Sequence, residues 1–517
     1  MNNTIPVIDL FAGPGGLGEG FSSLMEGGKP VFDIKLSIEK EENAHKTLTL
    51  RSFYRHFKKA GKKIPNEYYD LLHEKDLKER EKKFAKLFET YKNEGNKAKE
   101  EAQLIELGKV KSEIVDKKIR NALSNIKEWV LIGGPPCQAY SLAGRSRVGG
   151  INEEDARVYL YREYLRIIAF HHPAVFVMEN VKGLLSAKVG DQKVFHWILN
   201  DLRDPSKLFP GKESPKYKLY SLVTDNVKKD KDFLIKAENY GIPQKRHRVI
   251  LLGIREDINS KPGFLQKRKE VTLDSVIGGL PEIRSRLNRK FIGNEIVKGK
   301  KKRKYKRVLD SDREWYNLIQ EFLNEIKTWN GFSEIDENQF ILNEINSFGS
   351  EFISCEKTIN RNHSLYHWYI DKRLKGVINH ESRSHLIDDL KRYIFLAIYT
   401  KLYNNFPRLK DYKRYSKSLL PEHESANSGK FTDRFRVQLP NNAATTITSH
   451  ISKDGHYYIH YDYKQMRSLT VREAARIQTF PDNYLFCGSR TKQFHQVGNA
   501  VPPFLAYQIA DIVSGIV

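Results

Sequence analysis

The run Trp129-Val130-Leu131-Ile132 is apolar and short, the pattern of a strand buried on both faces. It stops at Gly133-Gly134-Pro135-Pro136-Cys137-Gln138, where two glycines and two prolines end the strand and fix the loop that follows. Such a stop suits an open α/β sheet, which presents its chemistry at the C-terminal ends of the strands. The residue delivered at the tip is Cys137. Free cysteines are mostly small core residues. Here the rigid flanks favour the alternative, a thiolate nucleophile held at a sheet edge.

A second loop of the same kind lies near the start. Pro6 to Phe11 reads as a strand and runs into Ala12-Gly13-Pro14-Gly15-Gly16-Leu17-Gly18. Glycines there let a ligand approach the backbone closely. Gly13, Gly15 and Gly18 satisfy G-x-G-x-x-G, a weak signal on its own, and the spacing of a P-loop is absent. The next strand, Ile34 to Ile38, ends at Glu39, a carboxylate that can hold both hydroxyls of a ribose. An adenosine-bearing cofactor fits. These residues leave the choice between NAD and S-adenosylmethionine open.

The chain has 517 residues and a formal net charge of +24, enough length for two or three domains and a field that suits a polyanion. No apolar run reaches the ~18 residues of a membrane span, and no secretory signal precedes the first strand. The three cysteines, Cys137, Cys355 and Cys487, are too scattered for a disulfide frame or a Cys-based metal site, so no metal is expected. A reducing cytoplasm is the compartment that fits.

Residues 51–128 are dense in Lys and Glu, with Phe84, Leu87, Phe88 and Tyr91 at helical spacing, and read as a charged helical insertion with a solvated face. Ala139 to Gly150, rich in Gly, Arg and Ser, reads as a segment that closes over a substrate. Asp155 to Phe170 reads as a helix. Ala174 to Met178 is a buried strand ending in Glu179-Asn180-Val181, which puts a carboxylate on the edge that carries Cys137. Gln244-Lys245-Arg246-His247-Arg248 precedes the strand Val249 to Gly253, and on extended backbone Arg246 and Arg248 share a side. From about 256 to 425 the strand–helix alternation stops. That segment holds the basic run Lys298 to Arg307, open between a solvated loop and a nucleic-acid contact, and the aromatics Trp315, Trp329, Tyr366, Trp368 and Tyr369. Beyond 430, Asp454-Gly455 lies between Ala444–Thr448 and Tyr457–His460 as a hairpin signal. Thr470 with Glu473 forms a capping box, and Leu505, Ile509, Ile512 and Val513 make one apolar face of a last helix.

In order, Phe11-Ala12-Gly13-x-Gly15-Gly16, Pro135-Pro136-Cys137-Gln138, Glu179-Asn180-Val181, Gln244-x-Arg246-x-Arg248, Arg467 to Pro481 and Gly498-Asn499-x-Val501-Pro502 resemble the motifs of the cytosine-C5 DNA methyltransferases. The likeness covers roughly the first 50 residues, 129–255 and 440–517. It implies an α/β fold: a Rossmann-like S-adenosylmethionine-dependent methyltransferase domain, residues 1–255 and 431–517, with a second, smaller target-recognition domain at 256–430. It implies Cys137, Glu179, Arg246 and Arg248 as catalytic residues. It places Phe11, Gly13, Pro14, Gly15, Gly16, Glu39, Pro135, Leu160, Asn499 and Val501 around S-adenosylmethionine. The last helix would complete that pocket from the far end of the chain. One family feature, an acidic residue after the third strand, has no clear match; Asp70 is a candidate. The partner implied is double-stranded DNA, with a cognate restriction endonuclease acting separately. An amino-group methyltransferase would lack the Pro-Pro-Cys loop, and an NAD dehydrogenase does not explain it. An RNA cytosine methyltransferase and a non-catalytic DNA-binding regulator are the remaining alternatives.

Overall fold

Val7, Ile8 and Leu10 are completely buried, as are Val130, Leu131 and Ile132, the signature of parallel strands covered on both sides. In the computed structural model, which describes residues 4–136, 156–189, 191–298, 300–329, 331–332, 345–421 and 435–517, these runs form the middle of an eight-stranded sheet. Its strands are β1 (Ile5–Leu10), β2 (Phe32–Glu39), β3 (Ala102–Leu104), β4 (Val130–Gly133), β5 (Val175–Val181), β6 (Tyr217–Tyr220), β7 (Leu234–Lys236) and β8 (His247–Arg255). The order is β6-β8-β5-β4-β1-β2-β3, with β7 paired to β8. From β3 to β5 every pairing is parallel, and β8 runs antiparallel to β5, β6 and β7.

The strand order reverses between β1 and β4, which opens a crevice beyond their C-terminal ends. Register aligns those ends: Leu10 lies beside Ile38 and Gly133, and Gly133 lies beside Met178. The residues that come next are Phe11, Glu39, Gly134 and Glu179, so four separate motifs leave the sheet at one edge.

Helices cover both faces. On one face Ile8, Leu10, Leu131, Phe176 and Met178 pack with α6 (Ser112–Leu123) and α7 (Ala156–His171). On the other, Val7, Ile132, Val177 and Ile250 meet α1 (Gly16–Ser22) and the last helix, α12 (Pro503–Ser514). Leu505, Ile509 and Val513 of α12 are almost wholly buried there, each contributing about 1.5–3 kcal/mol.

The 51–128 stretch is helical, as expected: α2 (Glu42–Lys59), α3 (Asn66–His73), α4 (Leu77–Thr90), α5 (Lys92–Glu101) and α6. Its Lys and Glu residues pair at the surface, as in Lys82–Glu79 and Lys83–Glu74. It is not a detached insertion, however, because it supplies β3 to the central sheet and α6 to its core.

The irregular middle segment builds its own cluster from α8 (Asp312–Lys327) and α9 (Ile387–Tyr403) around Trp315, Ile319, Tyr393 and Ile394. The basic run is ordered as an antiparallel ribbon, β9 (Arg289–Val297) with β10 (Lys300–Arg307). The expected hairpin at Asp454-Gly455 does not form between the two flanking runs. Ala444–Thr445 pairs instead with Gln244–Lys245, because the Gln244 side chain takes the amide of Ile447 and holds that strand against the first lobe. The capping box is present: Thr470 Oγ1 accepts from Glu473 and starts α10 (Val471–Ile477). No described helix is long and apolar enough to cross a membrane.

Candidate active site

The loop after β1 turns through left-handed backbone at Phe11, Gly13 and Gly15, with φ of 56°, 57° and 95°. Glu39 fixes it. One carboxylate oxygen accepts from the Gly13 amide at 2.8 Å and the other from the Glu41 amide at 2.7 Å. The far end of the chain closes the loop's other side. The Tyr484 hydroxyl donates to the Pro14 carbonyl, and a Cβ on Gly16 would lie 2.2 Å from the Val501 carbonyl oxygen. A Cβ on Gly15 would likewise meet Leu48 and Tyr484 at 2.8 and 3.0 Å. Gly13 differs: a Cβ there meets nothing within 4 Å. The loop is therefore closed at Gly15 and Gly16 and opens on free space at Gly13, a cradle into which a ligand can press against bare backbone.

Val501 is buried in the cluster of Leu505, and α12 approaches α1 so closely that a Cβ on Gly20 would lie 2.4 Å from the Ala506 Cβ. Asn499 ends α11 (Arg490–Asn499), where its side chain is exposed and meets His495 Nδ1 at 3.2 Å. Leu160, on α7, comes within 3.7 Å of the Cβ position of Gly108, in the loop after β3. That loop corrects the acidic candidate. Asp70 sits exposed on α3, whereas the carboxylate that follows β3 is Glu106. Lys109 and Lys40 lie 2.9 and 3.4 Å from it, and a hydrogen bond from Lys109 holds its carboxyl below the ordinary value.

At the neighbouring strand ends, Glu179 Oε1 lies 2.7 Å from Arg248 Nε. The pair sits on β5 and β8, where Ile250 is level with Glu179, so Arg248 reaches the carboxylate from two residues along the antiparallel neighbour. A Cβ on Gly134 would lie 3.0 Å from Glu179 Oε2, and the buried Asn180 side chain donates to the Pro135 carbonyl at 3.5 Å. The Gly134–Pro136 loop is thus seated directly on Glu179-Asn180. Cys137 is the second residue past Pro135 and lies outside the described residues, as do Gln138 and the Ala139–Gly150 segment.

Arg246 does not join the Glu179 pair. Its guanidinium is buried and donates to the carbonyl oxygens of Ile447, at 2.7 Å, and Gly498, at 3.3 Å. Burial and the charge of Arg248 both push its pKa well down. Gln244 works beside it, donating to the Ile477 carbonyl and to Gln478 Oε1. The Gln-x-Arg-x-Arg motif therefore splits: two side chains tie the sheet to the returning chain, and Arg248 faces the carboxylate.

Sequence reasoning passed over Asp9. It sits completely buried under α1, with neither oxygen hydrogen-bonded. Burial raises its pKa to about 8, against the pull of Arg55 and the Gly18 amide. Its place in the first strand, two residues before the first motif, was visible; its burial was not. Tyr484 was also missed, since nothing local marks a tyrosine in an irregular stretch as the partner of a loop at the opposite end of the chain.

Comparison with known proteins follows the same lines. The family model for C-5 cytosine-specific DNA methylases matches residues 78–514. The type II methyltransferase M.Bpa9945I of Bacillus paralicheniformis is 33% identical, with 99% of each chain covered. The DNA (cytosine-5-)-methyltransferase M.ApeKI of Aeropyrum pernix is 24% identical over 76% of this chain and 82% of its own. A DNA modification methyltransferase encoded within an Escherichia coli prophage shares the fold, with a TM-score of 0.51, 20% identity and 99% of both chains covered. The order of the strands, the two loops at their ends and a match over most of its length agree: the chain belongs to the C-5 cytosine-specific DNA methylase family and is a DNA cytosine-5 methyltransferase.

Proposed function

We propose that this enzyme methylates C5 of cytosine within a specific sequence of double-stranded DNA, through a covalent bond between Cys137 and C6 of a base turned out of the helix. The observation that carries the reading is the Glu179–Arg248 pair at 2.7 Å, set against the loop that leads into Cys137. The carboxylate and the guanidinium stand together at one strand edge, beside the Gly134–Pro136 loop that precedes Cys137 in the chain.

Cytosine C5 is a weak nucleophile. The Cys137 thiolate adds to C6, forming an S–C6 bond and moving the C5–C6 π electrons towards C5. Glu179 supplies a hydrogen bond or a proton to N3 as negative charge builds on the ring. Arg248 holds Glu179 in place and offers its remaining N–H donors to the carbonyl edge of the base. S-adenosylmethionine, when held there, would supply an electrophilic methyl group: the electron pair at C5 would take it as the S–CH3 bond breaks and the neutral thioether leaves. A water then takes the C5 proton, the C5–C6 double bond re-forms and the thiolate leaves. C6 is inaccessible inside a duplex, so the base must leave the stack at a cost of a few kcal/mol.

The open backbone at Gly13 fits S-adenosylmethionine. Phe11, Gly13, Pro14, Gly15, Gly16, Glu39, Pro135, Leu160, Asn499 and Val501 would hold it, with Glu106 in the acidic position beyond β3. Glu39 meets the loop amide and keeps lone pairs free for ribose hydroxyls. Arg246 acts as a positioning residue, through the Gly498 carbonyl next to Asn499. Residues 256–430 serve as the target-recognition domain. A cognate restriction endonuclease acts separately on the same sequence, in keeping with relatives that are type II methyltransferases.

The test uses duplex DNA with 5-fluorocytosine at the target. Fluorine cannot leave as a proton does, so a covalent adduct survives denaturation and maps to Cys137. Cys137→Ser should form no adduct and transfer no methyl while still binding DNA. Methyl transfer by that variant would refute the covalent step.

A further inference from the structure

The basic run is the most concentrated charge in the protein. Between Arg289 and Arg307 ten Lys and Arg residues stand against one acid, Glu295. It is built as an arm. β9 and β10 pair from Arg289–Arg307 out to Val297–Lys300, with an irregularity between Phe291 and Gly293. Nine residues at about 3.4 Å each make a ribbon roughly 30 Å long.

Its root is fixed. The Phe291 amide donates to Asp388 Oδ2 at 3.0 Å, Phe291 meets Tyr305 edge to face, and Arg289 lies over the Tyr305 ring at 4.3 Å. Beyond the root, side chains at alternate positions share a face, and cross-strand partners lie on the same face. Lys290, Lys302, Lys304 and Lys306 therefore line one side, with Glu295, the cross-strand partner of Lys302, the one acid among them. All four are exposed, and none has a carboxylate within ion-pair distance among the described residues. The ribbon also exposes Ile292, at the irregularity beside the root, and Ile296, near the tip and on the opposite face as the partner of Lys301, at 50% and 80%.

Lysines on an unpaired edge are a common defence against aggregation. That defence does not explain an isoleucine left 80% exposed on the same arm. A cationic face, with Ile296 on the other face near the tip, suits a partner that has phosphates along its rims and base edges, thymine methyl groups among them, within. The major groove of B-DNA, about 12 Å wide, admits a two-stranded ribbon.

Resting on duplex DNA as the substrate, we propose that the β9–β10 ribbon is a DNA-binding arm. Lys290, Lys302, Lys304 and Lys306 contact phosphates, and the tip carrying Ile296 enters the major groove away from the flipped base. The arm adds affinity and reach, and takes no part in chemistry.

The experiment compares wild type, K302Q/K304Q/K306Q and K302R/K304R/K306R, each as the full chain, binding a target duplex across a salt series. Loss of three phosphate contacts should make the slope of log K against log salt shallower by about 2.7. Affinity of the Gln variant should fall at least about tenfold near 0.1 M salt, again from lost phosphate contacts. S-adenosylmethionine affinity and kcat at saturating DNA should hold, and the Arg variant should keep the wild-type slope. I292S/I296S should weaken binding with the slope unchanged. A Gln variant with the wild-type slope overturns the arm while leaving the methyltransferase reading intact. A wild-type chain that binds no duplex overturns both.

Discussion

Glu179 Oε1 and Arg248 Nε meet at 2.7 Å across two antiparallel strands, and the loop leading to Cys137 rests on the same carboxylate. Their spacing is set by the sheet register, so the pair is ready before any substrate arrives. Glu179→Gln keeps the shape and removes the charge. Turnover should fall by about 10²- to 10⁴-fold, the usual worth of a positioned acid or base. Affinity for S-adenosylmethionine, measured by calorimetry, should stay within about threefold, because Glu179 is assigned no cofactor contact. Near-normal single-turnover methyl transfer by this variant would remove Glu179 from the chemistry.

Gly16 is the point where the first loop touches the returning chain. A methyl group there would press on the Val501 carbonyl oxygen at 2.2 Å, backbone that cannot swing aside. Gly16→Ala should cost about 1–3 kcal/mol through overpacking. It should also weaken S-adenosylmethionine binding, since Gly13 lies in the same loop. Gly13→Ala is the contrast: space is open, but a φ of +57° is strained for alanine. Thermal melting of both variants, with and without cofactor, separates the two causes. A Gly16→Ala protein that melts like the wild type contradicts the contact.

Asp9 predicts a pH dependence. Its pKa rises from 3.8 in the free side chain to about 8 in the fold, through burial first, with Glu39 and Glu101 adding and Arg55 opposing. Below about pH 4 both states hold the proton and the group is neutral in the balance. Between there and pH 8 the unfolded chain releases the proton while the folded one keeps it, so stability declines as pH rises. Asp9→Asn cannot titrate. Its melting temperature relative to wild type should climb steadily from pH 5 to pH 8 and then level off. A difference that stays flat across that range would mean Asp9 is ionised in the fold.

Arg467 and Glu473 form a two-pronged ion pair at 2.6 and 2.7 Å, both side chains about 1% exposed. Glu473 also caps α10 through the Thr470 amide. Burial alone would raise Glu473; the Arg467 and His460 charges hold it far below the usual carboxylate range. Removing one partner leaves a buried charge unpaired, at about 3–5 kcal/mol. Arg467→Met and Glu473→Leu should each lower the urea midpoint sharply. The double variant should recover part of the loss. A double variant destabilised by the full sum of the singles would mean that the two charges are not coupled.

The motifs were legible because each is local. Gly-Gly-Pro-Pro ends β4 where the sequence says it must, Glu39 closes β2 as read, and β5 runs two residues past Glu179, to Val181. What the sequence hid was either short or non-local. β3 has three residues inside a Lys/Glu-rich stretch, too few to show a period, so its sheet partner Ser37–Glu39 could not be inferred and Asp70 stood in for Glu106. The β9–β10 ribbon lacks apolar alternation because neither face at its outer end is buried, and a lysine run without alternation reads as loop. Asp454-Gly455 suggested a hairpin, yet a long-range bond to Gln244 and a nearer one to Gln438 claim the strand that would have formed it. Arg246 shared the expected side with Arg248 but spends its donors on carbonyls that lie two hundred and more residues away.

The meeting of α1 with α12 has a consequence for how the protein comes into being. Gly16 and Gly20 wait bare on the ribosome until Val501 and Ala506 have been synthesised to cover them. A chain that stops short of Val501 therefore leaves the turn at Gly16 and the inner face of α1 without the surface they pack against.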